Sequence, residues 1–237
     1  MNNRLRKDII EWDVRNWGTV IEFNKENHMD FKGKRVLELG ARNGGLSLYY
    51  ALKGAKVVCS DLEGPTKEAH KLHERYGVSK SVEYAAIDAT DIPDKYKGKF
   101  DYITFKSVIG GIGSWNDLKA QKKCVESCYK CLKSEGGGGR LIFADNMKAS
   151  ILHRIARRLF VKWGGKWHYE TKREIHMLMR KFKLIDERYV GVAGCFGRSE
   201  ESRNRLGKLD SCFLNKIVPD SWKYIGMYIY EKNKVTD

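Results

Sequence analysis

The chain reads as an α/β protein, a doubly wound and mostly parallel sheet with helices on both faces. Three observations predict this. Strand-length apolar runs alternate with helical segments from residue 34 to residue 144, the pattern in which parallel strands are joined by helical crossovers. The first run, Arg35-Val36-Leu37-Glu38-Leu39, passes into a turn, Gly40-Ala41-Arg42-Asn43-Gly44-Gly45, and then a helical stretch to Leu52. The second run, residues 56–60, ends in Asp61, 21 residues after Gly40. In open sheets, ligands bind at the carboxyl ends of the strands, where a helix N-terminus offers backbone N–H groups and an acid on the second strand suits a ribose hydroxyl. A nucleoside-containing cofactor is therefore expected.

The elements follow in order. Residues 3–13 predict a leading helix, whereas 16–29 (including Trp17-Gly18-Thr19-Val20 and Ile21-Glu22-Phe23) give no firm assignment. Strands are expected near 34–39, 56–60, 82–87, 100–106 and 139–144, and helices near 44–53, 65–76 and 117–132. Residues 136–139, four glycines, form a flexible connection rather than a phosphate loop, because no Lys-Ser/Thr and no helix follow. Past Asp145 the chain changes character. Residues 149–163 predict an amphipathic helix, with Ile151, Ile155 and Leu159 on one stripe and Leu152, Ala156 and Phe160 beside it. Arg154, Arg157, Arg158 and Lys162 lie off that stripe, with no acid among them. An aromatic loop, 163–169, leads to a capping box at Thr171 and Glu174 that opens another helix. A strand at 184–192, a helix at 199–217 ending before Pro219, and a last strand at 224–230 complete the chain.

Size and composition set bounds. The 237 residues, 42% of them hydrophobic, suffice for one domain with a full core. No uninterrupted apolar stretch approaches 18 residues, and the polar start lacks the apolar region of a signal peptide, so a cytoplasmic protein is expected. Cys124, Cys128 and Cys131 share one helix face and read as buried free thiols, not metal ligands. The net charge of +15 is uneven. Residues 1–145 carry 25 basic and 20 acidic side chains, and residues 146–237 carry 20 and 10. The excess in the second part suits an anionic partner such as a phosphorylated substrate, an acidic membrane surface or RNA.

The glycine turn departs from the dinucleotide fingerprint, since Arg42 stands where the middle glycine lets backbone approach a pyrophosphate. Glu38, Gly40 and Gly44 instead resemble motif I of the class I S-adenosylmethionine-dependent methyltransferases, an acid-x-G-x-G-x-G pattern in which Arg42 again replaces the middle glycine. S-adenosylmethionine has no pyrophosphate, so the replacement costs less there. The resemblance extends over roughly 33–146: Asp61-Leu62 looks like the second-strand acid and the apolar residue near the adenine, Asp88-Ala89 like the acid that meets the adenine amino group, and Phe100-Asp101-Tyr102-Ile103 like the fourth strand, with Lys106 at its tip. It implies a seven-stranded Rossmann-like sheet whose last strand is antiparallel, with an N-terminal helix and a helical lid near 147–180. It also implies a single domain over 1–237: an extension at 1–32, a cofactor half at 33–146 and an acceptor half at 147–237. The implied cofactor-binding residues are Glu38, Gly40, Ala41, Arg42, Gly44, Asp61, Leu62, Asp88, Ala89 and Lys106, with S-adenosylhomocysteine as the product.

Transfer from a sulfonium depends largely on positioning, and a hydroxyl acceptor also needs a base. The fourth strand ends in Thr104-Phe105-Lys106-Ser107, without the N/D-P-P-aromatic motif of base-methylating enzymes, and no Pro-Cys or Thr-Cys pair follows strand four or five. The expected acceptor is therefore a hydroxyl on a glycan, sugar precursor or other small molecule, with some similarity in Trp163, Trp167, Tyr169 and residues 210–224 to methyltransferases of bacterial glycan pathways. An RNA methyltransferase using the basic surface and a non-catalytic module keeping the fold are the alternatives, Arg42 being what leaves the second open. Asp145, at the tip of strand five, His168, in the aromatic loop, and His153 are considered for the base, with Asp145 and His168 preferred because His153 reads more readily as a partly buried structural residue. Trp12 and Trp17 read either as a lid over the cofactor or as core.

Overall fold

The computed structural model describes residues 1–134, 138–162 and 164–233. The expectations for Gly136, Gly137 and Trp163 lie outside the described residues. Seven strands, β1 (Arg35–Leu39), β2 (Lys56–Asp61), β3 (Val82–Ala86), β4 (Tyr102–Lys106), β5 (Arg140–Asn146), β6 (Phe182–Val190) and β7 (Ile225–Lys232), form one sheet in the order β3-β2-β1-β4-β5-β7-β6. The first five are parallel, and β7 runs antiparallel between β5 and β6. The strand order reverses between β1 and β4, so the crevice for a ligand opens at the carboxyl ends of those two strands.

Strand alternation divides the core. Val36, Val57, Ile142, Met227 and Ile229 pack on one face, and Leu37, Val58, Ile103, Phe143 and Tyr228 on the other. The first face is covered by α1 (Asn3–Ile10), α2 (Val14–Trp17), α3 (Thr19–Glu26), α4 (Gly45–Leu52) and α5 (Lys67–Arg75). The second is covered by α6 (Ile109–Ile112), α7 (Leu118–Cys131) and α9 (Lys172–Leu178), where Cys124, Cys128 and Cys131 are buried free thiols as expected. Between them in sequence, α8 (Ile151–Phe160) stands at the carboxyl edge, as does α10 (Glu200–Leu209), which continues through a π turn at Asp210–Leu214 into α11 (Asn215–Ile217). Thr171 and Glu174 form the anticipated capping box of α9.

The structure differs from the sequence reading in the N-terminal region. α1 stops at Ile10 because Glu11 (φ 73°) and Asp13 (φ 45°) adopt left-handed backbone. The unassigned stretch holds α2 and α3, short helices of mixed composition whose stability comes from packing rather than propensity. The expected 199–217 helix carries a π turn that begins at Asp210, which is buried. Its buried carboxylate then accepts from the Ala193 and Gly194 amides and from Asn16 Nδ2. Among the described residues, no helix is long and apolar enough to cross a membrane.

α1 is seated on Gly45, where an added Cβ would overlap the Ile9 carbonyl. Gly45→Ala should therefore push α1 off the first turn of α4 and cost about 1–3 kcal/mol, read as a Tm several degrees lower with the sheet signal intact. An unchanged Tm would show that α1 is loosely held.

Candidate active site

The carboxyl edge of the sheet is assembled by acids that accept backbone amides. Glu38, at the end of β1, is buried and accepts from the Ser47 amide at 2.7 Å and the Ser47 hydroxyl at 2.5 Å. Burial pushes its carboxyl up to about 7, against these hydrogen bonds. Asp61, ending β2, accepts from the Arg42 and Leu62 amides, both at 2.8 Å. A carboxylate offers about four acceptor sites, so lone pairs remain on both oxygens for a ribose diol. Gly40 has φ 63° and a Cβ there would come 2.6 Å from Val108 Cγ2, so this turn admits only glycine. Arg42 sits at φ 48°, a left-handed conformation, with its carbonyl taken by the Thr66 amide.

A cavity of about 760 Å³ lies above this turn, lined by Glu38, Gly40, Ala41, Arg42 and Lys106 of the expected set and also by Glu11, Trp12, Trp115 and Trp167. The size suits a cofactor. Its chemistry suits S-adenosylmethionine, which carries an ammonium, a sulfonium and a carboxylate. Glu11 Oε1 is buried with no hydrogen-bond partner among the described residues, and Lys106 supplies a cation. Lys106 Nζ donates to the Ile10 carbonyl at 2.9 Å and lies 3.4 Å from the Trp12 ring centroid. Burial lowers its amine to about 7, opposed by Glu11 and Glu38. Leu62, 64% exposed, and Asp88 stand further out on the rim, where the Ile87 amide donates to the Asp61 carbonyl. Asp88 accepts from the Thr90 amide and hydroxyl, which orders the turn holding Ala89.

A second cavity, about 560 Å³, adjoins the first and shares Trp12, Asn146 and Arg203 with it. Trp17, Phe160, Tyr169, Phe196 and Tyr224 give it aromatic walls, and Arg157 and Arg198 add cations. Arg157 stands 3.9 Å from the Tyr169 ring centroid and donates to the Met147 carbonyl. Asp13 lines the same cavity. It is 3% exposed, its Oδ2 accepts from Tyr224 Oη at 2.5 Å, and its Oδ1 has no partner among the described residues. Burial pushes this carboxyl up to about 7. Tyr224 also accepts from Asn16 Nδ2, which donates in turn to Asp210.

The two expected bases line neither cavity. Asp145 is fully buried and is committed to scaffold. Oδ2 accepts from the Val108 and Ile109 amides at 2.8 and 2.7 Å, and Oδ1 from the Asn146 amide. Side chains alternate along a strand, so it is the next residue, Asn146, that faces the shared opening, held by Ser107 Oγ at 2.6 Å. His168 sits on the far side of its loop beside Gln121 and Glu170, with its amide donating to the Gly110 carbonyl. Glu170 there is buried and raised to about 9, first by burial and then by Asp145. His153 does line the second cavity, with its ring bonded to Ser150 Oγ and the Val192 carbonyl. Sequence reasoning missed Glu11, Asp13, Asn146 and Arg203. Two acids flanking Trp12 directly after a helix were the available signal. It also missed Gly110 and Gly111, where any Cβ would strike the Trp167 ring that closes the cofactor cavity.

This fold and this site define a Rossmann-like methyltransferase scaffold, and the comparisons agree. Residues 37–142 match the family model described as a methyltransferase domain. A ubiquinone biosynthesis O-methyltransferase of Idiomarina loihiensis is 28% identical over 154 residues, covering 63% of this chain and 59% of that protein. The chain thus spans less than two thirds of that relative's length. Burkholderia thailandensis 1,6-didemethyltoxoflavin-N1-methyltransferase, solved with S-adenosylhomocysteine, has a TM-score of 0.59 at 15% identity, over 91% of this chain and 77% of its own. Haemonchus contortus phosphoethanolamine N-methyltransferase 2, solved with S-adenosyl-L-methionine, has a TM-score of 0.60 at 18% identity, over 91% and 52%. Over residues 37–142 the chain is thus similar to methyltransferase domains, and its fold is that of solved proteins bound to S-adenosylhomocysteine or S-adenosyl-L-methionine.

Two expectations follow. Arg42→Gly should relieve left-handed strain and raise stability by up to about 1 kcal/mol, seen as an equal or higher Tm; a lower Tm would show that the arginine side chain holds the turn. Asp13 binds its proton up to about 7 when folded and only to about 3.8 when unfolded. Stability from this group therefore falls as pH rises between those values. Asp13→Asn lacks that loss, so its Tm relative to the parent should climb from pH 5 to pH 8. A pH-independent difference would place Asp13 in a solvated setting.

Proposed function

We propose that this chain transfers the methyl group of S-adenosylmethionine to a hydroxyl of a small-molecule acceptor bound in the cavity behind Trp12 and Asn146. One observation carries the reading: a buried carboxylate with a free oxygen, Asp13, lines a cavity that shares Trp12, Asn146 and Arg203 with the cavity above the glycine turn. The O-methyltransferase name of the curated relative supports an oxygen acceptor. Aromatic walls with Arg157, Arg198 and Arg203 favour a planar or sugar-like acceptor bearing an anionic group. A glycan precursor fits that description, and so does a phenol. In this reading the cofactor half spans 33–146, while 1–32 and 147–237 together shape the acceptor side.

When bound, S-adenosylmethionine supplies a methyl group on a sulfonium, which leaves as the neutral thioether of S-adenosylhomocysteine. The chain supplies the rest. Asp61 would hold the ribose hydroxyls, Glu11 and Glu38 would meet the ammonium, and Lys106 and Arg42 would meet the carboxylate. Asn146 orients the acceptor oxygen at the junction. Asp13 takes the hydroxyl proton at Oδ1 while Tyr224 keeps Oδ2 in place. A base near pH 7 is about half ionised at neutral pH and still basic enough to accept that proton, an arrangement worth about 10²–10⁴ in rate.

Calorimetric titration of S-adenosylmethionine and S-adenosylhomocysteine tests the first half. Micromolar binding is expected, weakened at least ten-fold in Asp61→Ala; no binding to the parent chain would leave a non-catalytic fold. S-adenosylhomocysteine release with a panel of phenols, sugar phosphates and RNA then tests the acceptor. Asp13→Asn should bind the cofactor normally and turn over about 10²-fold slower or worse. Turnover of RNA alone, or an Asp13→Asn variant of full activity, would sink the reading.

A further inference from the structure

α8 is turned inside out. Amphipathic helices of globular proteins bury their apolar face, yet here the single buried residue is His153. Its ring faces inward to the Val192 carbonyl and Phe196, and Arg157 follows it inward to the Met147 carbonyl. At 100° per residue, Ile151, Ile155, Leu159 and Leu152 fall together on the opposite arc. They are 69%, 52%, 67% and 68% exposed, and Phe160 at the end of the helix is 75% exposed. A cluster of this kind on one short helix is unlike scattered surface leucines and marks an interaction site.

Charge identifies the occupant. Between residues 146 and 169 there are six lysines and arginines and no aspartate or glutamate. Arg154 and Arg158 border the apolar arc on one side, with Lys162 beyond the helix end. An exposed apolar arc bordered by cations on one side, in a segment without a single acid, is the composition of a helix lying in the interface of an anionic bilayer. A protein partner of ordinary composition would not call for a segment free of acids, and a polynucleotide would not cover the leucines. α8 is also one wall of the acceptor cavity, through Ala156, Arg157 and Phe160.

We propose that α8 docks this protein onto an anionic phospholipid surface, with its leucine and isoleucine face inserted and Arg154 and Arg158 at the headgroups. The inference stands apart from the identity of the acceptor and from methyl transfer itself.

Co-sedimentation of the full chain with vesicles tests it. Vesicles of phosphatidylglycerol and phosphatidylcholine should pellet the protein, and pure phosphatidylcholine vesicles should leave most of it in solution. Leu152→Ser/Ile155→Ser/Leu159→Ser should abolish pelleting. Arg154→Glu/Arg158→Glu should weaken it by about thirty-fold or more, from roughly 1 kcal/mol per cation. All these side chains are exposed or bordering, and an unchanged Tm in the variants checks that they fold. Failure to pellet with anionic vesicles would overturn the proposal. So would pelleting that the triple variant leaves unchanged, or a dimer in size-exclusion chromatography that the triple variant dissolves, which would make a second copy the occupant.

Discussion

The carboxyl edge of the sheet exists because three acids at strand tips accept backbone amides from the loops that follow. Glu38 holds the start of α4, Asp61 holds the Arg42 turn, and Asp145 holds the start of α6. Loops leaving parallel strands carry N–H groups without ladder partners, and leaving them bare and buried costs about 1–3 kcal/mol each. A carboxylate satisfies two or three at once and lends charge to the hydrogen bond. Of these acids Glu38 also lines the cavity above the glycine turn, and Asp61 binds two amides and keeps further lone pairs free.

This arrangement concentrates groups with displaced protonation in a small volume. Glu38 and Asp13 are raised to about 7 and Lys106 is lowered to about 7, each by burial first. Burial alone would drive an acid and an amine toward neutrality from opposite sides. Their meeting at one pH leaves the charge state of the cleft sensitive to whatever enters. A ligand bringing a sulfonium and an ammonium favours ionised carboxylates, and one bringing a carboxylate favours a charged Lys106. Stability is given up at the place where charge will arrive, which is the usual relation between an active site and its fold.

Most of the sheet was legible in the sequence. β1 to β5 carry their own signals, because parallel strands covered on both faces are mainly apolar, and β2, β4 and β5 end in Asp61, Lys106 and Asn146 at the carboxyl edge. The glycines were legible for the same reason: Gly40 abuts Val108 and tolerates no side chain. The acceptor side was less legible. α2 and α3 have little periodicity of their own and are helical because the sheet gives them something to cover. Asp145 and Asn146 adjoin at a strand tip, and only the phase of alternation decides which one faces the cleft. The Asp13 environment is assembled from Tyr224, Asn16 and Asp210, up to 211 residues apart, and no local pattern encodes it.

A relay of buried polar groups holds this distant constellation together. Asp210 closes α10 and begins the π turn, and its carboxylate accepts from two amides and from Asn16 Nδ2. Asn16 is thereby fixed with its amide toward Tyr224, Tyr224 with its hydroxyl toward Asp13, and Asp13 with one oxygen left over. Each link satisfies a buried polar group that would otherwise be destabilising, so the chain has a stability reason to keep every member in place. The oxygen at its end has no partner among the described residues and belongs to a residue that lines the second cavity, and it is this oxygen that the proposed role of Asp13 as base would use.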